Sequence, residues 1–193
     1  MPLLIFRQNP LPQGFTSLEG FEFFSFADFS HALSLLHPNW PENIFGKVYF
    51  MKPEFLVLPI LAYSSLLFIS KIKYQKSILF FALLGLIGAF LSKGINPSFG
   101  EVNQWLFQYI PGMNLFRDPT KFYLLTALSY SVLIPFCVWN IHNWLKYQIS
   151  KIKYQKLKME FIPNIFLIFT ILFLIFLIRP VLLGQLNGTF KQH

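Results

Sequence analysis

The chain has 193 residues, 54% of them hydrophobic and only 12% charged, with 25 Phe and a single cysteine, Cys137. A soluble domain runs about 45–50% apolar and about 25% charged, so this composition excludes disorder, a soluble nucleic-acid binder and a disulfide-stapled secreted domain. The net charge of +8 gathers in two clusters, Lys71, Lys73 and Lys76, and then Lys146, Lys151, Lys153, Lys156 and Lys158 with Glu160 as their only opponent. Basic loops alternating with apolar runs point to an all-α integral membrane protein of about four transmembrane helices, with membrane lipids as partners and no nucleic acid.

Residues 1–54 are net negative and read as an extracytoplasmic segment. Met1–Gln13 lacks the basic and apolar regions of a signal peptide. A tail exported without a preceding span is unusual, so Met1 is expected to be internal to a longer polytopic protein. Asp28, His31 and His37 admit a metal on residue type, but the six-residue histidine spacing matches no helical face, and no metal site is expected.

Residues 55–92 read as a transmembrane hairpin. Its apolar runs, Phe55–Ser70 and Ser77–Ser92, have 16 residues each, whereas a hydrocarbon core roughly 30 Å thick asks for about 20. The expected remedies are snorkelling lysines or a locally thinned bilayer. Residues 93–121 form an outer loop. Ser98-Phe-Gly-Glu101 has capping-box spacing. Val102, Trp105, Leu106, Tyr109 and Ile110 recur at helical intervals until Pro111-Gly112, which predicts an interfacial helix on the outer face. A loop helix packed into the core is the competing reading.

Asp118 is placed to cap the next helix, with Pro119 in its first turn. Arg117 and Lys121 add two full positive charges to that helix N-terminus, a setting that receives a phosphate oxygen. The plainer reading has Arg117 paired with Asp118, or with lipid headgroups, to fix helix depth. Residues 122–145 are the third span, in which Pro135 predicts a kink. Residues 146–163 are a basic cytoplasmic loop, 164–183 the fourth span and 184–193 an outer tail.

Cytoplasmic lysine clusters put both termini outside, in a multi-pass cell-membrane topology. The octapeptide Ile69–Lys76 recurs identically at Ile149–Lys156. An old duplication explains it less well than drift in two basic loops, because the flanking spans share no pattern. Arg179, near the outer end of its span, reads as a snorkelling anchor rather than a second phosphate contact. His142, between Trp139 and Trp144, sits where amphipathic residues gather, and Cys137 reads as a small buried apolar residue. No nucleotide-binding or nucleophile-elbow motif is present, and no cofactor is expected.

The run Phe99-Gly-Glu101, Trp105-Leu106, Tyr109-Ile-Pro-Gly112 and Leu115-Phe-Arg-Asp-Pro-Thr-Lys-Phe122 resembles the later outer loop of GT-C membrane glycosyltransferases, in particular the YfhO-like and arabinofuranosyltransferase-like branches. His37-Pro-Asn-Trp-Pro41 and Phe45-Gly46 are similar to the stretch just upstream in those proteins. The resemblance covers roughly residues 20–145. It implies the C-terminal part of an enzyme that transfers a sugar from a polyprenyl-phosphate donor to a cell-envelope glycan or lipid acceptor. Arg117 and Lys121 would then contact the lipid phosphate.

Members of that superfamily carry their acidic catalytic residue in a first outer loop that precedes this chain. The catalytic residue is therefore unassigned, and neither Asp28 nor Glu42 takes the role. Activity is expected to need an N-terminal portion or a partner subunit. The alternative function is a non-catalytic membrane subunit or lipid-binding scaffold. A secondary transporter fits less well, since no carboxylate lies within any span. The cluster Phe21, Phe23, Phe24, Phe26 and Phe29 either packs an outer subdomain or walls the acceptor site.

Overall fold

The computed structural model describes residues 18–36, 53–71, 74–151 and 161–183, and among them every regular element is helical. Two short helices, α1 (Leu18–Phe23) and α2 (Phe29–Leu33), precede a first apolar segment. That segment is a 3-10 turn (Pro53–Leu56), α3 (Val57–Ser64) and a second 3-10 stretch (Ser65–Lys71). Then come α4 (Gln75–Ser92), α5 (Gly100–Tyr109), 3-10 turns at Met113–Phe116 and Pro119–Phe122, and α6 (Tyr123–Ser150). The last elements are α7 (Ile162–Leu177) and the single turn α8 (Arg179–Leu182). Readings that rest on Met1–Gln13, His37, Glu42, Lys73, Lys153–Glu160 or the tail 184–193 lie outside the described residues.

Two helical runs, Gln75–Ser92 and Pro119–Ser150, are long and apolar enough to cross a membrane, at 18 and 32 residues and a mean hydropathy of 1.7 each. The other two apolar runs, Pro53–Ile69 and Ile162–Leu177, are shorter. Their shortness is resolved differently in the two cases. In the first, 3-10 winding gains length, because it rises about 2.0 Å per residue against about 1.5 Å in an α-helix. Pro53–Ile69 thus reaches about 30 Å, where pure α-helix would give about 25 Å.

In the second, the predicted run to residue 183 is broken at Ile178. Pro180 has no N–H to donate to the Phe176 carbonyl. The Arg179 guanidinium replaces that donor, with Nη1 3.0 Å from the Phe176 oxygen and the cation 3.8 Å from the Phe176 ring centroid. The third apolar run carries on through Pro135 and past Leu145 as one helix to Ser150, so Lys146 rides on α6 rather than in a loop.

Small and hydroxylated residues line the closest helix contact, larger apolar side chains fill the core around it, and further large apolar side chains face outward. α4 lies along α6, with α2 packed mainly on α4 and with α3 and α7 against α6. The α4–α6 seam is lined by Ala82, Gly85, Gly88, Ala89, Thr126 and Ser129. Ser129 Oγ donates to the Phe81 carbonyl at 2.7 Å and Thr126 Oγ1 to the Gly85 carbonyl at 3.3 Å. Glycine is required there because the helices touch: a Cβ on Gly85 would stand 2.5 Å from Ser129 Oγ. Around this seam Ala62, Ile78, Tyr130, Leu133, Ile134 and Val138 complete the core. Leu79, Phe80 and Leu83 on α4 and Ile165, Phe169 and Leu172 on α7 face outward.

Candidate functional site

The loop carrying the predicted phosphate contacts is held by a polar knot at the C-terminal end of α4. Ser92 Oγ donates to the Gly88 carbonyl, and the chain turns at Gly94 in the left-handed region, φ +59°. A side chain at Gly94 would run into Ser25, so the turn and the 18–36 segment touch without intervening atoms. Ile95 N donates to Ser25 Oγ at 3.2 Å, and Asn96 Nδ2 donates to the Ser25 and Ala27 carbonyls at 2.8 and 2.7 Å. Asn103, on α5, reaches back to the Phe90 and Gly94 carbonyls at 2.8 and 2.6 Å. Two asparagines thereby fix both the 18–36 segment and α5 to the end of α4.

Lys93 closes the knot from beneath. It is 1% exposed, its Nζ donates to the Asn96 carbonyl at 2.6 Å, and it lies 5.0 Å from the Phe90 ring centroid. Burial lowers its pKa from the ordinary lysine value of 10.5. Because the folded state releases this proton sooner than the unfolded chain, stability rises with pH from the lowered value up to 10.5. In Lys93→Met that rise disappears from a pH series of unfolding free energies; a slope unchanged by the substitution would refute the assignment.

α5 starts one residue later than the Ser98–Glu101 box predicts. Its N-cap is Phe99, in the left-handed region at φ 61°, with no side-chain cap. Gly100 sits so close to the Ile95 carbonyl that no Cβ fits, and this contact, not the serine, sets the helix start. Asn103 and Phe107 form the inward face, with Phe107 stacked on Phe21 at 4.5 Å. The predicted stripe is turned outward, with Val102 44%, Trp105 53% and Tyr109 67% exposed. Of the phenylalanine cluster, Phe21 and Phe26 are buried while Phe23 and Phe29 are exposed, so only part of the cluster packs the 18–36 segment.

After Gly112, at φ 88°, the 3-10 turn Met113–Phe116 brings the chain to Arg117. The Arg117 guanidinium lies 4.7 Å from the Phe24 ring centroid. Asp118 caps the following turn as its spacing predicts: one carboxylate oxygen accepts from Thr120 N at 3.0 Å and from Thr120 Oγ1 at 2.6 Å. Lys121 is exposed. The α6 axis thus opens with a capped N-terminal turn flanked by one partly covered and one open cation, an arrangement that attracts anions.

The structure also joins Asp28 to His31, a pairing that was not read from the sequence. Asp28 caps α2, its Oδ1 accepting from His31 N at 2.8 Å and Ser30 Oγ at 2.7 Å, with His31 Nδ1 2.7 Å away. Burial raises the Asp28 pKa, but hydrogen bonds from His31 and Ser30 and the nearby imidazole outweigh it and leave the pKa lowered. The legible signal was Asp-x-x-His at a helix start. His142 Nε2 lies 3.3 Å from Asn164 Oδ1, tying α6 to α7, and Cys137 is fully buried. Among the described residues no three metal-ligating side chains converge. No family model, curated protein or solved structure matches the chain.

Proposed function

We propose that the chain is part of a multi-spanning membrane glycosyltransferase, moving a sugar from a polyprenyl-phosphate donor to a cell-envelope glycan or lipid acceptor, with Arg117 and Lys121 contacting the lipid phosphate. The carrying observation is the 113–122 loop. Its carboxylate, Asp118, accepts from Thr120 within its own turn and keeps its charge, so Arg117, Asp118 and Lys121 together leave the start of α6 net positive, beside the positive end of the helix. A departing phosphate needs such a field.

The membrane setting rests on the exposed apolar faces of the long helices. Only 33% and 39% of the two long apolar windows are buried, unlike the core helix of a soluble protein, and small and hydroxylated residues line their seam. In this reading four segments cross the bilayer, with the lysine-rich loops cytoplasmic and the termini outside. α5 lies at the outer headgroup level, its Trp105 and Tyr109 rings 5.9 Å apart on the lipid side.

Binding of a polyprenyl phosphate in nanodiscs tests the proposal. Arg117→Gln and Lys121→Ala each weaken it about tenfold or more, the usual loss for a hydrogen bond to a charged group. Lys121 is exposed, so its substitution leaves the fold intact. Affinity unchanged in both variants would remove the loop from the site. Tight lipid binding with no sugar transfer by the complete assembly would instead assign a lipid-binding scaffold.

A further inference from the structure

The octapeptide that occurs twice in the sequence ends its helix in the same way both times. Lys71 is the last residue of the 3-10 stretch Ser65–Lys71 and Lys151 is the C-cap of α6, each preceded by Ile-Ser. A lysine at a helix C-terminus is favoured by the helix dipole, which accounts for one cation in each copy and not for the others. The two copies also lie at one end of the bundle. Ser129 bonds to Phe81 and Thr126 to Gly85, so α4 and α6 run antiparallel, and the start of α4 and the end of α6 point the same way.

This end is basic and aromatic at once. Lys76, Lys146 and Lys151 are exposed, and so are Tyr74, Trp144 and Tyr147 beside them in the chain. Residues 74–77, 140–151 and 161–164 include no Asp or Glu, and among the described residues none of the three lysines has an ion-pair partner. Glu101 and Asp118 belong to the opposite end, where α6 begins. The Lys151 ammonium is folded back over the Tyr147 ring, 4.2 Å from its centroid, a helical turn nearer the bundle.

In the membrane setting proposed above, the helical run Pro119–Ser150 outlasts the hydrocarbon core. Its 32 residues rise about 48 Å, against a core of roughly 30 Å. With Pro119 at the outer headgroups, the excess puts the last turns of α6 in and beyond the opposite headgroups, where Trp and Tyr settle and lysines meet lipid phosphate. Orientation of the spans asks only for positive loops. It asks neither for aromatic rings among the lysines nor for the exclusion of carboxylates from the helix ends that carry them.

We infer that this end of the bundle is a docking surface for anionic lipid headgroups, with Lys76, Lys146 and Lys151 as the phosphate contacts. The inference rests on the membrane setting of the proposed function and not on sugar transfer. An acidic protein segment would also answer the charge, but it leaves the exposed rings without a role. A lipid surface gives them one, since each has an apolar body and a polar edge.

Tryptophan quenching by lipids with brominated acyl chains tests it. The full chain, carrying Trp40→Phe and Trp105→Phe so that Trp139 and Trp144 alone report, is reconstituted in mixtures of phosphatidylglycerol and phosphatidylcholine with one or the other brominated. Both lipids quench, and the anionic one occupies the reporters' surroundings about fivefold or more in preference to the neutral one, the equivalent of one lysine near a charged surface. The preference falls as salt rises. Lys76→Gln/Lys146→Gln/Lys151→Gln abolishes it; all three side chains are exposed, so the fold is kept, which circular dichroism verifies.

Quenching by neither lipid refutes the membrane setting, and the inference with it. Quenching by both without an anionic preference, or a preference that salt and the triple variant leave intact, overturns the docking surface alone. A soluble polyglutamate peptide that shifts the emission in neutral bilayers, while the two lipids compete equally, overturns it in favour of an acidic protein partner.

Discussion

Gly88→Val is expected to cost about 3 kcal/mol or more and to prevent a stable α4–α6 pair from forming. A Cβ at this position would stand 2.7 Å from Thr126 Oγ1 and 2.8 Å from both Leu125 Cβ and the Thr126 backbone nitrogen. Two of those atoms cannot swing away, because one is backbone and the other is a Cβ fixed by it. The helices must therefore separate, and separation stretches the Ser129–Phe81 and Thr126–Gly85 hydrogen bonds that cross the same seam. Leu83→Ala, on the outward face of α4, is the matched control and changes stability little. Unfolding titrations in mixed micelles read both. Gly88→Val with the stability of the parent would mean that the helices do not approach as described.

Asn96→Leu is expected to release the 18–36 segment while leaving the helix pair folded. The substitution removes both hydrogen bonds to the Ser25 and Ala27 carbonyls, and both of those residues are buried. An acceptor left without a donor in such a place costs about 1–3 kcal/mol, so the pair costs roughly 2–6 kcal/mol. What remains to hold residues 18–36 includes the Phe21–Phe107 stack and the 2.7 Å bond from Tyr130 Oη to the Leu33 carbonyl. Amide exchange is the discriminating measurement. Protection falls across residues 25–36 and persists across α4 and α6; uniform loss along the chain, or no loss at all, contradicts the role given to Asn96.

The helical runs were readable because hydropathy alone places them, and the Asp118 cap because its signal is confined to three residues. What escaped the sequence is non-local. Asn96 lies 71 positions from Ser25 and 69 from Ala27, and nothing near Asn96 marks it as a clamp. Lys93 reads as the first residue of the 93–121 loop, yet it is buried, with its ammonium on the Asn96 carbonyl and near the Phe90 ring. The Ser98–Glu101 box carries a correct local pattern that loses to the contact between Gly100 and Ile95. Of the candidate site, the two cations were legible from spacing.

The 3-10 stretch Ser65–Lys71 gives the first apolar segment an adjustable length. Rewinding its seven residues as α-helix shortens the segment by about 3.5 Å. If the segment crosses a bilayer as proposed, it acts as a spring in series with a rigid rod and follows a change in thickness while α4 and α6 hold their register.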